Sequence, residues 1–215
     1  MHAVCMSSPI VKIGVGMEVK SRQAERSEAT RGELIKAARE LFAERGYADV
    51  GTEEIVQRAR VTRGALYHHF RDKKDLFRAV HEQMEADIVA AIASQMDGIE
   101  DPIELLTVGT RAFLDACMDP AHARVNLLEA PSILGWAEWR EIDMRYGMGL
   151  VAMGLQAGMD AGQLRAQPVK PLAHLMLGAL GEAAMTIANA SDPQAARDEM
   201  EVALLELLKG LRTPA

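Results

Sequence analysis

The sequence predicts an all-α protein in which a small N-terminal helical domain precedes a larger helical one. Apolar residues recur at helical spacing along nearly all of the 215 residues, and no stretch alternates as a half-buried strand does. Glycines and Asp-Pro pairs interrupt this pattern where helices are expected to end and begin. The predicted division is a disordered leader over residues 1–27, a first domain over 28–73 and a second over 74–215.

The composition is that of a globular protein with a sizeable core, since 49% of the residues are hydrophobic and 26% are charged. No apolar run approaches the ~20 residues of a membrane span, so we expect no membrane partner. The leader lacks the arginine-led start and cleavage site of a signal peptide, and Met1 and Met17 are both candidate start residues. Cys5 and Cys117 are the only cysteines, which disfavours a disulfide framework and indicates a reducing cytoplasm.

Charge is distributed unevenly between the two predicted parts. Residues 1–80 contain 15 basic and 11 acidic residues, a net charge of +4, whereas residues 81–215 contain 9 and 20, a net charge of -11. The whole-chain charge of -7 therefore hides a mildly basic N-terminal part. This asymmetry leaves nucleic acid open as a partner of the first domain.

Four helices are predicted near the N-terminus. The first ends before Gly46, where a left-handed C-terminal cap is expected. Thr52 is expected to cap a short second helix, and Thr62 a third that runs to about His69. Asp72 is expected to cap a fourth, longer helix that connects the two domains.

The second domain is expected to contain about five further helices. Asp-Pro pairs mark three of the starts, at residues 101–102, 119–120 and 192–193. A long segment begins near Trp136, and prolines at 168 and 171 are expected to end it.

The helices around 172–187 and 193–209 carry apolar stripes so broad that they must be covered on several sides. Small residues in the stripes permit close helix approach, so we expect this pair to meet its own copy across a two-fold axis. The alternative is that both helices are buried within one subunit. The candidate residues of the homodimer interface are Ala179, Ala183, Met200, Leu204 and Leu208.

The second and third helices have the dimensions of a helix-turn-helix, whose second helix enters the major groove of DNA. Arg63 lies at its leading end, where a guanidinium can pair with guanine O6 and N7. Lys73 is unfavourable at a helix N-terminus, but it becomes favourable if a DNA phosphate lies there. The alternative is a solvated basic surface over core residues. The candidate DNA contacts are Thr52, Thr62, Arg63, Gly64, Tyr67, His68 and Lys73.

Two segments, LIKAARELFAERGY and TEEIVQRARVTRGALYHHFRDKKDLF, resemble the DNA-binding domain of the tetracycline-repressor (TetR-like) family of bacterial regulators. The shared features are a glycine-aromatic pair after the first helix, a Tyr-x-x-Phe motif and a lysine that begins the fourth helix. The resemblance implies a dimer whose N-terminal helices bind an operator and whose C-terminal helices bind a small ligand that releases DNA. By their positions in the family motif, Thr62, Arg63, Gly64, Tyr67, His68 and Lys73 are implied to contact DNA. His69 matches the family less uniformly.

An effector cavity is expected in the second domain, which holds ten of the 13 methionines and both tryptophans. Methionine adapts to irregular apolar ligands, and a net charge of -11 favours an uncharged or cationic one. The alternative is an ordinary helix-bundle core. The candidate lining residues are Trp136, Met148, Met176 and Leu180.

Three classes of function are open to a protein with this sequence. A ligand-responsive repressor, with double-stranded operator DNA, a small-molecule effector and a second copy as partners, agrees best with the pattern. An effector-free DNA-binding scaffold with a protein partner is the second class, and an enclosed apolar cavity would count against it. An enzyme is the third, but the carboxylates of the second domain lack a Glu-x-x-His pair, a nucleophile motif or a phosphate loop. We therefore expect no catalytic residue, metal or cofactor.

Overall fold

The computed structural model describes residues 22–214, and the regular elements in that range are helices, which confirms the predicted all-α fold. The leader residues 1–21, with Cys5 and Met17, lie outside the described residues. A π-helical segment, Ala123–Glu129, joins two short helices in the middle of the chain. The helices are α1 Arg22–Arg45, α2 Thr52–Arg58, α3 Arg63–His69, α4 Lys73–Met96, α5 Pro102–Cys117, α6 Pro120–His122, α7 Ala130–Leu134, α8 Trp136–Asp160, α9 Val169–Asn189 and α10 Pro193–Gly210.

Most of the predicted helix caps are confirmed. Thr62 Oγ1 accepts a hydrogen bond from the backbone N–H of Ala65 at 3.2 Å. The expected cap at Thr52 is wrong, because Gly51 occupies the N-cap position and Thr52 is the first residue of α2. Gly46 adopts the left-handed conformation predicted for it, with φ of 84°. Carboxylates accept backbone N–H groups at the N-termini of four more helices: Asp72, Asp101, Asp119 and Asp192.

Helix α1 begins earlier than the sequence indicated, and α4 crosses the predicted domain boundary. Residues 22–27, which were assigned to the disordered leader, belong to α1. The predicted boundary between residues 73 and 74 falls in the first turn of α4. Pro171 does not end a helix but lies in the first turn of α9, where the missing N–H costs little.

The two parts share one hydrophobic core. Residues of α1 to α4 form a buried cluster that also contains Val125, Leu134, Trp139 and Ile142 from the second part. The aromatic rings of Phe42 and Phe77 lie 5.4 Å apart within it. Because this cluster is continuous, a change in the packing of the π-helical segment or of α8 acts directly on the N-terminal helices.

Helix α9 is the central helix of the second part, between α8 and α10. Among the described residues it is long and apolar enough to cross a membrane by length and composition, with a mean hydropathy of 1.3. We expected no apolar run near that length, so this expectation is wrong. A core helix of a bundle passes the same test, and Ala173, Leu177, Ala183 and Ile187 are buried against neighbouring helices.

Candidate DNA-binding surface and effector cavity

Helices α2 and α3 form a compact pair that is held on α1 by their apolar residues. Ile55, Val56 and Leu66 are buried in the shared core. Between the helices, Arg60 adopts a left-handed conformation with φ of 56°, and the backbone N–H of Val61 bonds to the Val56 carbonyl at 3.0 Å. Since one face of α3 is buried by this packing, its opposite face is presented to solvent.

The predicted DNA contacts of α3 lie on that exposed face. Arg63 donates from Nη1 to Glu53 Oε1 at 2.8 Å, and its guanidinium lies 5.6 Å from the centre of the Tyr67 ring. Both partners of this ion pair are more than half exposed, at 65% and 58%, so the pair contributes little to stability and is easily exchanged. The other exposed members of the predicted set are Thr62, Gly64, Tyr67 and His68.

Gly64 has open space around it. A Cβ atom added there meets only Thr62 Oγ1, at 3.9 Å, and its backbone does not require positive φ. Internal packing therefore does not explain the glycine, and a DNA contact by Gly64 stays a prediction. By contrast, His69 is half-buried against Phe70, and burial lowers its pKa. Thr52, at the start of α2, is half-buried too, and its contact with DNA stays a prediction.

Lys73 has intramolecular partners that its sequence context does not predict. Its Nζ donates to the carbonyl of Tyr47 at 2.8 Å and to that of Val50 at 3.0 Å, and it lies 4.0 Å from the centre of the Tyr47 ring. Lys74 Nζ likewise donates to the Leu134 carbonyl at 3.3 Å. The lysines at the start of α4 are thus stabilised by carbonyl oxygens and an aromatic face, without an anion. A phosphate contact by Lys73 stays a prediction.

A cavity of about 80 Å³ lies among α4, α5, α8, α9 and the end of α10. Met176 and Leu180, two of the predicted lining residues, border it. The other two do not: Trp136 is 63% exposed and its ring is tilted by 43° to that of Trp139. Met148 packs against the cluster of Leu155, Leu164, Leu172 and Ala173, of which Leu155 alone borders the cavity. Helix α8 begins at the N-terminal core, so its first turn is too far along the bundle to reach the cavity.

Three polar side chains border this otherwise apolar cavity: Glu85, Thr110 and Asp143. Glu85 Oε1 accepts from Asn126 Nδ2 at 2.8 Å, and burial raises the pKa of Glu85 to about 7. Burial also raises the pKa of Asp143, although its ion pair with Arg140 opposes that shift. Neither carboxylate was predicted here, because an acidic residue on an amphipathic helix is normally interpreted as solvent-exposed.

The predicted interface residues of α9 and α10 face the protein's own core. Ala183, Leu204 and Leu208 are at most 4% exposed, and Ala179 and Met200 pack partly buried against the same cluster. Ala183, Leu204 and Leu208 therefore cannot form the centre of a dimer interface without unpacking the subunit, so the prediction is wrong for these three residues. For Ala179 and Met200 it stays a prediction. Large apolar side chains remain exposed on other faces of these two helices: Leu175, Val202 and Leu207.

An interdomain clamp connects the π-helical segment to the end of α1. We use this name for Arg124 and Glu129, which reach the α1 C-terminus from that segment. Arg124 Nη1 donates to the carbonyls of Ala43 and Glu44 at 3.2 and 2.8 Å. Glu129 Oε2 accepts the backbone N–H of Tyr47 at 2.8 Å. The clamp thus holds the loop that leads into α2.

Comparisons with known proteins agree with this geometry. Residues 34–80 match the family described as "Bacterial regulatory proteins, tetR family", and residues 103–211 match the "Tetracyclin repressor-like, C-terminal domain". The chain is 33% identical over 162 residues to the transposon Tn10 TetC protein of Escherichia coli, covering 75% of this chain and 82% of TetC. It is 32% identical over 107 residues to the HTH-type transcriptional regulator TtgR of Pseudomonas putida, about half of each protein.

Solved structures show the same fold. A TetR-family transcriptional regulator from Pectobacterium atrosepticum matches with a TM-score of 0.80 and 35% identity, covering 88% of this chain and 97% of that one. RolR, solved in complex with resorcinol, matches with a TM-score of 0.68 and 24% identity, covering 86% and 89%. The helix pair α2–α3, with α3 exposed on a helical bundle, and these matches together indicate a helix-turn-helix transcriptional regulator. The chain belongs to the TetR family of bacterial regulatory proteins, which confirms the resemblance seen in its sequence.

Proposed function

We propose that this regulator is a repressor that binds a palindromic operator as a dimer and is released by a small apolar effector. The observation that carries the proposal is helix α4, because it connects the two sites. Its first residue, Lys73, bonds to the loop that leads into α2, and its second half, from Glu85 to Met96, borders the cavity. A displacement of one end of a rigid helix moves the other.

Release requires that the effector favour the conformation that binds DNA poorly. A coupling free energy of ~1–3 kcal/mol changes operator affinity about 5–150-fold. The cavity of about 80 Å³ is smaller than the ~300–1,000 Å³ of drug-sized sites, so such a ligand has to push its walls apart. That expansion moves α4 against the interdomain clamp and changes the orientation of α3.

On DNA, the exposed face of α3 enters the major groove. Arg63 exchanges Glu53 for a guanine edge, and Gly64 lets the backbone approach the bases. Thr52, Thr62, Tyr67 and His68 position the helix through phosphate and base contacts. Lys73 uses two of its three N–H donors on the Tyr47 and Val50 carbonyls, and the third is proposed to contact a phosphate.

Two copies are proposed to pair through the exposed apolar faces of α9 and α10. Leu175, Val202 and Leu207 are 70%, 66% and 56% exposed, although each belongs to a bundle helix. For a two-fold axis near α9 and α10, we expect the two α3 helices to bind half-sites about one helical turn, ~34 Å, apart. Such a dimer acts in the cytoplasm, where the bacterial chromosome lies.

The effector-free scaffold is the second candidate. It has no use for an apolar cavity inside the bundle, and the cavity bordered by Met176 and Leu180 counts against it. Family membership also favours a regulator over a helical enzyme.

Selection from random DNA, followed by footprinting of the selected site, tests the proposal. We expect a palindromic footprint, and in a panel of metabolites and drugs at least one compound that lowers operator affinity. Arg63→Ala serves as the control that loses the footprint. A footprint without symmetry contradicts the dimer model, and a palindromic footprint that no compound weakens favours the effector-free scaffold.

A further inference from the structure

The polar side chains of the cavity indicate what kind of ligand it takes. Along α4 the lining begins with Glu85 and continues with Ile88, Val89, Ile92 and Met96, so the acidic character is confined to the Glu85 end of that helix. Asp143 of α8 is close enough that its charge helps to raise the pKa of Glu85. A ligand therefore meets carboxyl groups at one part of the cavity and hydrocarbon elsewhere.

The charge at this acidic end is not balanced by the protein. Asp143 forms an ion pair with Arg140, but within residues 22–214 no lysine or arginine forms an ion pair with Glu85. The nearest basic group to Glu85 is His81 Nδ1, at 3.9 Å. Burial lowers the pKa of His81 to about 4, so this imidazole is neutral at pH 7. One negative charge is left without a counter-charge when both carboxyl groups are ionised.

The surroundings of Glu85 make an unbalanced charge costly. An isolated ionised carboxylate in an apolar site is unstable, and it either takes up a proton or acquires a cation. Asn126 supplies one hydrogen bond to Oε1, and among the described residues no charged group donates to the remaining acceptor positions of Glu85. Thr110 does not satisfy them, because its hydroxyl donates to the Leu106 carbonyl at 2.8 Å.

We propose that the cavity binds an apolar molecule that carries one protonated amine, with the ammonium group at Glu85 and Asp143 and the hydrocarbon part against Ile92 and Leu180. The proposal rests on the proposed function in that this molecule is the effector. Met96 and Met176, whose side chains are flexible, allow the small cavity to widen around the hydrocarbon part. An anionic ligand is repelled by the same carboxyl groups, and a neutral one binds without a charge-assisted bond, because Glu85 then takes up a proton instead of a cation.

Isothermal titration of the full chain with matched ligands tests this assignment without DNA. The probes are benzylamine, benzyl alcohol and benzoate, together with hexylamine, 1-hexanol and hexanoate, which differ within each series only in the polar group. We expect each amine to bind ~10- to ~100-fold more tightly than its alcohol at pH 7, since a charge-assisted hydrogen bond replaces a neutral one. The carboxylates should bind most weakly.

Glu85→Gln and Glu82→Gln form a matched pair of variants. Both remove one carboxylate from α4, but Glu82 borders no part of the cavity and pairs with Arg145 at 3.1 Å. We expect Glu85→Gln to reduce the advantage of the amines to about threefold or less, and Glu82→Gln to retain it. The comparison of ligands in the parent protein needs no variant, so it decides the proposal even if Glu85→Gln does not fold.

The proposal is overturned if an alcohol or a carboxylate binds as tightly as its amine, if the advantage survives in Glu85→Gln, or if none of the six probes binds at millimolar concentration. Failure of the proposed function gives a different experimental result from failure of the amine site. Amines that bind through Glu85 without weakening operator binding uphold the amine site and contradict the effector role. Release of operator DNA by anionic compounds alone upholds the effector role and contradicts the amine site.

Discussion

Replacement of Lys73 by methionine separates two roles that this lysine is able to play. The structure gives it an internal role, since its ammonium group bonds to the carbonyls of Tyr47 and Val50 and lies over the Tyr47 ring. Methionine keeps the length and apolar stem of lysine but removes the charge and all three donors. If the internal role dominates, Lys73→Met destabilises the folded protein. If lysine only contacts phosphate, stability is unchanged.

The expected loss of stability follows from these contacts. A hydrogen bond from a charged donor contributes ~1.5–3 kcal/mol and a cation–π contact ~0.5–2 kcal/mol. Lys73 is half-buried, so water replaces part of what is lost, and the contributions do not add fully. We therefore expect Lys73→Met to lower the free energy of unfolding by about 2–4 kcal/mol. For a chain of this size that corresponds to a fall of roughly 5–15 °C in Tm.

Urea unfolding and operator titration across salt concentrations measure the two roles separately. Operator affinity falls as the salt concentration rises, and loss of one phosphate contact makes the slope of log affinity against log salt shallower by about 0.9. The control is Lys36→Met, because Lys36 is exposed on α1 and the variant removes the same charge. The internal role is refuted if Lys73→Met unfolds like Lys36→Met while its salt slope alone falls by about 0.9.

Three further variants test the other sites. Arg63→Ala should weaken the free energy of operator binding by roughly 1–3 kcal/mol and relax the base preference at one position. A titration against single-base operator variants measures both effects. An equal loss of affinity for every sequence would contradict base recognition by Arg63. Leu207→Asp should give a monomer in sedimentation analysis, whereas a dimer of unchanged affinity would move the interface elsewhere. Glu129→Ala leaves the Tyr47 N–H without its acceptor, and it should reduce the effector-induced change in operator affinity by about fivefold or more. Operator titrations with and without effector measure this change. An unchanged ratio of the two affinities would exclude the clamp as a coupling element.

Sequence reasoning located the helices well because their signals are local. An aspartate at a helix start and a glycine at a helix end act through backbone atoms within a few residues, and Asp101 and Gly46 adopt the expected roles. The exposed face of α3 was predictable for the same reason, since burial of Leu66 fixes where Tyr67 points. Thr52 shows the limit of such signals, because a neighbouring Gly51 took the capping position.

The errors concern partners that are distant in the sequence. A helical stripe shows that a face is buried but not which molecule covers it, so Leu204 was assigned to a second subunit although it faces its own core. Trp136 was assigned to a cavity from residue type alone, yet its position at the start of α8 leaves it in solvent. Lys73 suggested an external anion because its carbonyl partners lie 23 and 26 residues away.

Asn126 offers a route by which a charge in the cavity would act on the DNA-binding helices. Its side-chain Nδ2 donates to Glu85, and its main-chain carbonyl accepts the indole N–H of Trp139 at 2.9 Å. Hydrogen bonds therefore hold both the side chain and the backbone of this buried residue. It lies in the same π-helical segment as Arg124 and Glu129, which hold the end of α1. A counter-charge beside Glu85 changes the strength of its bond to Asn126, and Asn126 cannot shift without moving the segment that carries the clamp. We therefore expect the π-helical segment to couple the charge state of Glu85 to the loop that leads into α2, in parallel with α4.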